Sequence, residues 1–211
     1  MSGAIFESGP AAARLLAAVV AAGVAIKLMD DYLDQELDAL LGRRTLAAAV
    51  GPGTVAYAMA ALALAMLLDG PAAGSLFLAA YAVGMAHDPA GRLPTGLAGW
   101  QEAMVAAGAG ALLAGLRVMA AALASMLFIQ CVDDLRDAAE DARRGHGSLA
   151  ARLGRVETGL VAAAALVAGL LIHPVLVIGA ALAAPVVDRG LRWAADRLPP
   201  GPGEGAGEGS P

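Results

Sequence analysis

"RLLAAVVAAGVAIKLMDDYLDQELD", residues 14–38, joins two chemistries that ordinarily stay apart. Twelve residues without a charge run from Leu15 to Ile26, and five carboxylates then fall within the ten positions from Met29 to Asp38. The setting is supplied by the whole chain of 211 residues, which is 59% hydrophobic with a mean hydropathy of +0.68, against about 45–50% apolar residues in soluble domains. A bilayer core needs roughly 20 mostly apolar residues per helix. Seven windows approach that length, at about 12–30, 52–69, 72–88, 96–115, 117–133, 157–173 and 174–190. Gly115 and Arg117 mark the turn inside the long stretch 96–132, and "HPV" joins the last pair. Each window is apolar all round, as suits a lipid-embedded helix. The expected fold is therefore all-α, a polytopic membrane helix bundle of about seven transmembrane helices.

The acidic cluster has a copy. "CVDDLRDAAED", residues 131–141, ends another apolar helix, and Asp134, Asp137 and Asp141 each stand 103 positions after Asp31, Asp34 and Asp38. Four crossings separate the clusters, so both emerge on one side of the membrane, facing one central cavity. Together they hold ten of the nineteen acids. At about 100° per residue, Asp31, Asp34 and Asp38 lie within a sector of about 60°, and their copies do the same. Like charges three and four residues apart repel, and each costs several kcal/mol near hydrocarbon if left uncompensated. One acidic run would ordinarily be a solvated helix end paired with arginines; two matched stripes on one membrane face point to function instead.

Oxygen ligands with no His or Cys beside them suit a hard cation such as Mg²⁺, Ca²⁺ or Mn²⁺. His87, His146 and His173 are scattered and form no ligand spacing. Mg²⁺ keeps some waters and is commonly completed by substrate phosphates, so two facing stripes could clamp a diphosphate whose lipid-like tail lies between apolar helices.

The remaining composition narrows the field. A formal charge of −5 offers no basic face for nucleic acid, and the single Cys131 makes no internal disulfide. The start "MSGAIFESGPAAARLL" lacks the basic region and cleavage site of a signal peptide, so the first helix is expected to stay. Residues 1–191 form the transmembrane domain, and 192–211 an amphipathic end and a Pro/Gly/Glu tail expected to be disordered. Eleven arginines, from Arg43 to Arg197, fall on the face that receives the acidic motifs, against Arg14 and Arg117 on the other. The motifs are thus expected on the cytoplasmic side of a bacterial membrane, with the N-terminus outside.

These residues resemble the UbiA-type intramembrane prenyltransferases. Their first signature, N-D-x-x-D-x-x-x-D, is matched by "DDYLDQELD" with Asp30 in the Asn position. Their second, D-x-x-D-x-x-x-D followed by G-x-x-[ST]-L and later L-G, is matched by "DDLRDAAEDARRGHGSLAARLG", with Gly145, Ser148, Leu149 and Gly154 completing it. The resemblance covers about residues 15–190. It implies Mg²⁺ held by Asp30, Asp31, Asp34, Asp38, Asp134, Asp137 and Asp141, ionisation of a prenyl diphosphate, and attack of the allylic cation on an acceptor, aromatic or lipid. Lys27, Arg44, Arg92 and Arg144 are the candidate diphosphate contacts, although an ion pair with Asp30 or Asp31 explains Lys27 as well, and membrane anchoring explains Arg144. The chain keeps Arg44 and Thr45 but lacks the second arginine after the first motif, and it resembles the family core without its first and last helices, as expected either of a sequence that starts late or of a compact branch.

Three functions remain in competition: prenyl transfer, cyclisation of the same diphosphate without an acceptor, and cation transport through acidic rings. Tyr32, Tyr57 and Tyr81 could steady a carbocation by their π-faces or could simply pack, and the helix dipole accounts for Glu102.

Overall fold

The computed structural model describes residues 9–35, 38, 44–85, 89–144 and 149–198, with the side chains of 139–149 excepted. The tail from residue 199, the loop residues Gly145 and Ser148, and the side chains of Asp141 and Arg144 lie outside the described residues. The helices are α1 Gly9–Leu33, α2 Leu46–Val50, α3 Gly53–Met85, α4 Gly99–Ala114, α5 Leu116–Arg144, α6 Leu149–Leu153, α7 Arg155–Ile172 and α8 Pro174–Arg197. Among the described residues there is no β-strand, only an isolated antiparallel bridge between Arg92 and Ala98. The boundary expected at residue 191 falls inside α8, which continues to Arg197.

Five of these helices are long and apolar enough to cross a membrane: α1, α3, α5 over Leu116–Ala138, α7, and α8 over Pro174–Ala195. The windows 52–69 and 72–88 both fall within α3. Its backbone leaves the helical region at Asp69 (φ −152°, ψ 90°), and the Asp69 carboxylate accepts the Ala72 N–H at 3.1 Å. Pro71 follows, and the capped arm beyond the break starts afresh. Both ends of α3 lie toward the same end of the bundle. Its first arm starts beside α2, which packs on α1 and α8, and Gly84 of its second arm lines a cavity with Asp31 of α1. The window 96–115 becomes α4, whose 16 residues span about 24 Å.

The spacing of 103 extends through the fold. Helix α2 spans 46–50 and α6 spans 149–153; Gly51 and Gly154 follow them with φ of +64° and +103°, conformations open to glycine. The residues G-x-x-[ST]-L-A-A recur from Gly42 and from Gly145. The break at Asp69 finds its counterpart at His173 (φ −150°, ψ 81°), one residue out of step, where Nδ1 accepts the Leu176 N–H at 3.4 Å ahead of α8. The chain is therefore a tandem pair, with α1, α2 and the two arms of α3 answered by α5, α6, α7 and α8, and with α4 between the halves.

Small residues let these helices approach closely, since lipid gives no hydrophobic drive for helix pairing. The core is mostly alanine, with Leu15, Val19, Leu76, Met119, Leu176 and Val177 among its larger members. A Cβ added at Gly169 would stand 3.2 Å from Ala124 of α5 and 3.0 Å from Val177 of α8. Leu67, Leu112 and Leu171 are more than 80% exposed, and all three precede turns at the end of the bundle away from the motifs. Arg117, at that same end, donates from Nε to the Ile172 carbonyl at 3.0 Å, filling an acceptor at the end of α7. Buried Glu102 accepts hydrogen bonds from Tyr81 and Thr95. It ties the loop before α4 to α3, a more specific role than the dipole expected from its position.

Candidate functional site

A cavity of about 730 Å³ opens at the motif end between α1, the second arm of α3, α5 and α8. These are two equivalent pairs in the tandem repeat. The deep wall is aliphatic, with Val19 and Ile26 of α1, Leu76 and Ala80 of α3, Met126 and Ile129 of α5, and Ala180 of α8. Val19 lies twelve residues before Asp31 on the same wall, about 18 Å along the helix. The open end is lined by Asp30, Asp31, Asp34, Asp38, Asp133, Asp134, Asp137 and Asp188, eight carboxylates, against four basic residues, Lys27, Arg136, Arg189 and Arg192.

Helical hydrogen bonding carries the first cluster past Leu33, since the Asp34 N–H donates to Asp30 (3.0 Å) and the Asp38 N–H to Asp34 (2.8 Å). Lys27 Nζ lies 2.8 Å from Asp31 and 3.1 Å from Asp30, so the ion pair anticipated from their spacing is made. In the second cluster Gln130 Nε2 donates to Asp134 at 2.9 Å, and Arg136 pairs with Asp133 at 3.3 Å. Asp31, Asp38 and Asp134 are buried. Asp34, just beyond α1, has its carboxyl held above the ordinary carboxylate range, first by burial and then by the charges of Asp30 and Asp38.

The predicted phosphate contacts divide. Lys27 lines the cavity, whereas Arg44 and Arg92 are absent from its lining. The Arg44 guanidinium instead donates to the Leu198 carbonyl at 3.3 Å, and Arg92 sits in the bridge with Ala98. Tyr81 is engaged by Glu102, Tyr57 is 61% exposed, and no aromatic side chain is among the described lining residues. Helix α8 adds Arg189 and Arg192, counted in the sequence only among the arginines that set the orientation, and Asp188, which the sequence reading does not single out. Their signal was the i, i+4 pairing of Asp188 with Arg192, realised at 3.0 Å.

Among the described residues no three acid, His or Cys side chains converge closely enough to hold a metal ion by themselves. The donor set fits a different arrangement, in which Mg²⁺ takes one or two carboxylates and completes its shell with water and phosphate oxygens. Comparison with protein-family models, with curated proteins and with solved structures gave no match.

Proposed function

We propose that the protein ionises a prenyl diphosphate within the membrane with the help of Mg²⁺ and transfers the prenyl group to an acceptor, aromatic or lipid, in the manner of the UbiA-type enzymes. The observation that carries this reading is the polarity of the cavity, with an excess of carboxylates at the mouth and an aliphatic slot behind it. Four surplus negative charges near hydrocarbon call for cations, and a cation bound there attracts a diphosphate. Asp31, Asp34, Asp134 and Asp137 would hold Mg²⁺ jointly with that diphosphate. When bound, Mg²⁺ supplies positive charge that stabilises the departing diphosphate. Basic residues at the rim hold the phosphate oxygens, while Val19, Leu76 and Met126 hold the tail and exclude water. With no aromatic ring among its described lining residues, the slot offers a free carbocation no π-face there, which favours capture by an acceptor over cyclisation.

The topology completing this reading has both arms of α3 and α4 crossing as well, seven crossings in all, with the cavity mouth on the cytoplasmic side of a bacterial membrane. Membranes containing the protein, supplied with Mg²⁺ and geranyl, farnesyl or geranylgeranyl diphosphate, should release diphosphate. Mass spectrometry then distinguishes a product formed only with acceptor, as proposed, from a hydrocarbon formed without one. No release at any chain length would sink the reading.

A further inference from the structure

The charge around the cavity is not evenly spread. Among the described lining residues, α1 and the residues just beyond it contribute Lys27 against four aspartates, and α5 contributes Arg136 against three. The lining part of α3 carries no charge, and α8 contributes Arg189 and Arg192 against Asp188 alone. Helix α8 is thus the one lining helix with a net positive charge. The cavity has an acidic side, α1 and α5, and a basic side, α8.

We infer that Arg189 and Arg192 form the anion-binding edge of the cavity, receiving the diphosphate, in place of the loop residues Arg44 and Arg92; the inference rests on the diphosphate reading above. Three of the four basic side chains at the mouth are neutralised where they stand: Lys27 by Asp30 and Asp31, Arg136 by Asp133, and Arg192 by Asp188. Arg189 makes no ion pair with a described residue. Arg192 gives only Nε to Asp188, and its terminal nitrogens make no hydrogen bond with a described residue, so they are available as a fork for phosphate oxygens. Residues three apart on a helix share a face, and both guanidinium groups can therefore reach one ligand. Arg44, bonded to the Leu198 carbonyl at the C-terminal end of α8, braces α2 instead. The arrangement sets cation-attracting carboxylates opposite the arginines, so a diphosphate bridges the two sides and neither side alone suffices.

The test is binding of inorganic pyrophosphate with Mg²⁺ to the full-length protein in lipid nanodiscs, measured by calorimetry. Arg189→Gln and Arg192→Gln should each weaken binding about tenfold, the loss of one charge-assisted contact, and the double variant about a hundredfold. Arg44→Gln and Arg92→Gln should stay within about threefold of the parent. Should the double variant fail to fold, Arg189→Lys with Arg192→Lys decides, since charge without the fork should give an intermediate affinity. Parent-like affinity in the α8 variants, or an equal loss in the Arg44 and Arg92 variants, overturns the inference while leaving the diphosphate reading intact. Failure of the parent protein to bind pyrophosphate with Mg²⁺ overturns both.

Discussion

Helices α1 and α5 hold matching places in the two halves and present matching aspartates, yet they differ one turn before the motif, with Lys27 in α1 and Gln130 in α5. Each reaches the aspartate four residues on, at 2.8 Å for Asp31 and 2.9 Å for Asp134, and each aspartate is 7% exposed. The same geometry is satisfied once by a charge and once by a dipole. Lys27 nevertheless stands against four lining aspartates of its cluster and Arg136 against three of the second, so the second cluster has less negative charge to spare. Loss of a carboxylate from either cluster should cut diphosphate release at least about a hundredfold, the scale of removing one electrostatic contact to a developing charge. On this comparison Asp137→Ala should lose more than Asp34→Ala. Equal losses, measured as diphosphate released from farnesyl diphosphate with Mg²⁺, would show that the uneven charge of the two clusters does not set the halves apart.

Stability should separate the same pair without substrate. Lys27→Met leaves buried Asp31 without its ammonium, and because Lys27 is about a third exposed the cost should be about 2 kcal/mol, below that of a fully buried pair. Gln130→Met removes one neutral donor from a carboxylate and should cost about 1 kcal/mol. Lys27→Gln, which gives α1 the residue of α5, should recover about half of the first loss. Unfolding in detergent, followed by circular dichroism, ranks the three, and a larger cost at Gln130 would reverse the comparison.

The two helix reversals allow a finer contrast. Asp69 and His173 share nearly one backbone conformation, but the carboxylate accepts its N–H at 3.1 Å and the imidazole at 3.4 Å. Asp69→Ala should cost about 1 kcal/mol, and His173→Ala about half as much. His173→Asp should raise the unfolding temperature, because a carboxylate both caps and complements the helix N-terminus. No gain there would mean that the longer bond is not the weaker one.

The apolar windows gave away the helical segments because each is uniformly apolar and is bounded by Gly, Pro or charge. That same uniformity concealed which faces meet: with Ala18, Ala22, Ala73 and Ala122 all buried, no one-sided stripe distinguishes a core face from a lipid face. Asp31 and Asp134 were legible because helical spacing repeats them. Arg189 and Arg192 were not, since they lie on a helix with no acidic pattern of its own and enter the cavity only through packing. Arg44 and Arg92 were singled out from their loops alone; in the fold Arg44 donates to the Leu198 carbonyl and Arg92 bridges to Ala98. The recurrence of Gly42, Thr45 and Leu46 at Gly145, Ser148 and Leu149 would have disclosed the tandem halves directly.

The smallest expected effect concerns what Lys27 leaves unrelieved in the first cluster. Asp34 is exposed to solvent, yet burial of its carboxyl and then the charges of Asp30 and Asp38 hold it above the ordinary range. A group whose pKa is raised on folding stabilises the folded chain fully below its unfolded value, about 4 for Asp, and loses that contribution as pH rises through the elevated value. Asp34→Asn removes the loss. In chelator, its unfolding temperature should match the parent's near pH 4 and exceed it slightly by pH 7. Mg²⁺ with pyrophosphate should close the gap, because a bound cation relieves in the parent the same repulsion that the amide removes. A gap unchanged by the ligand would mean that Asp34 takes no part in holding it, leaving the first cluster to Asp31 and its lysine.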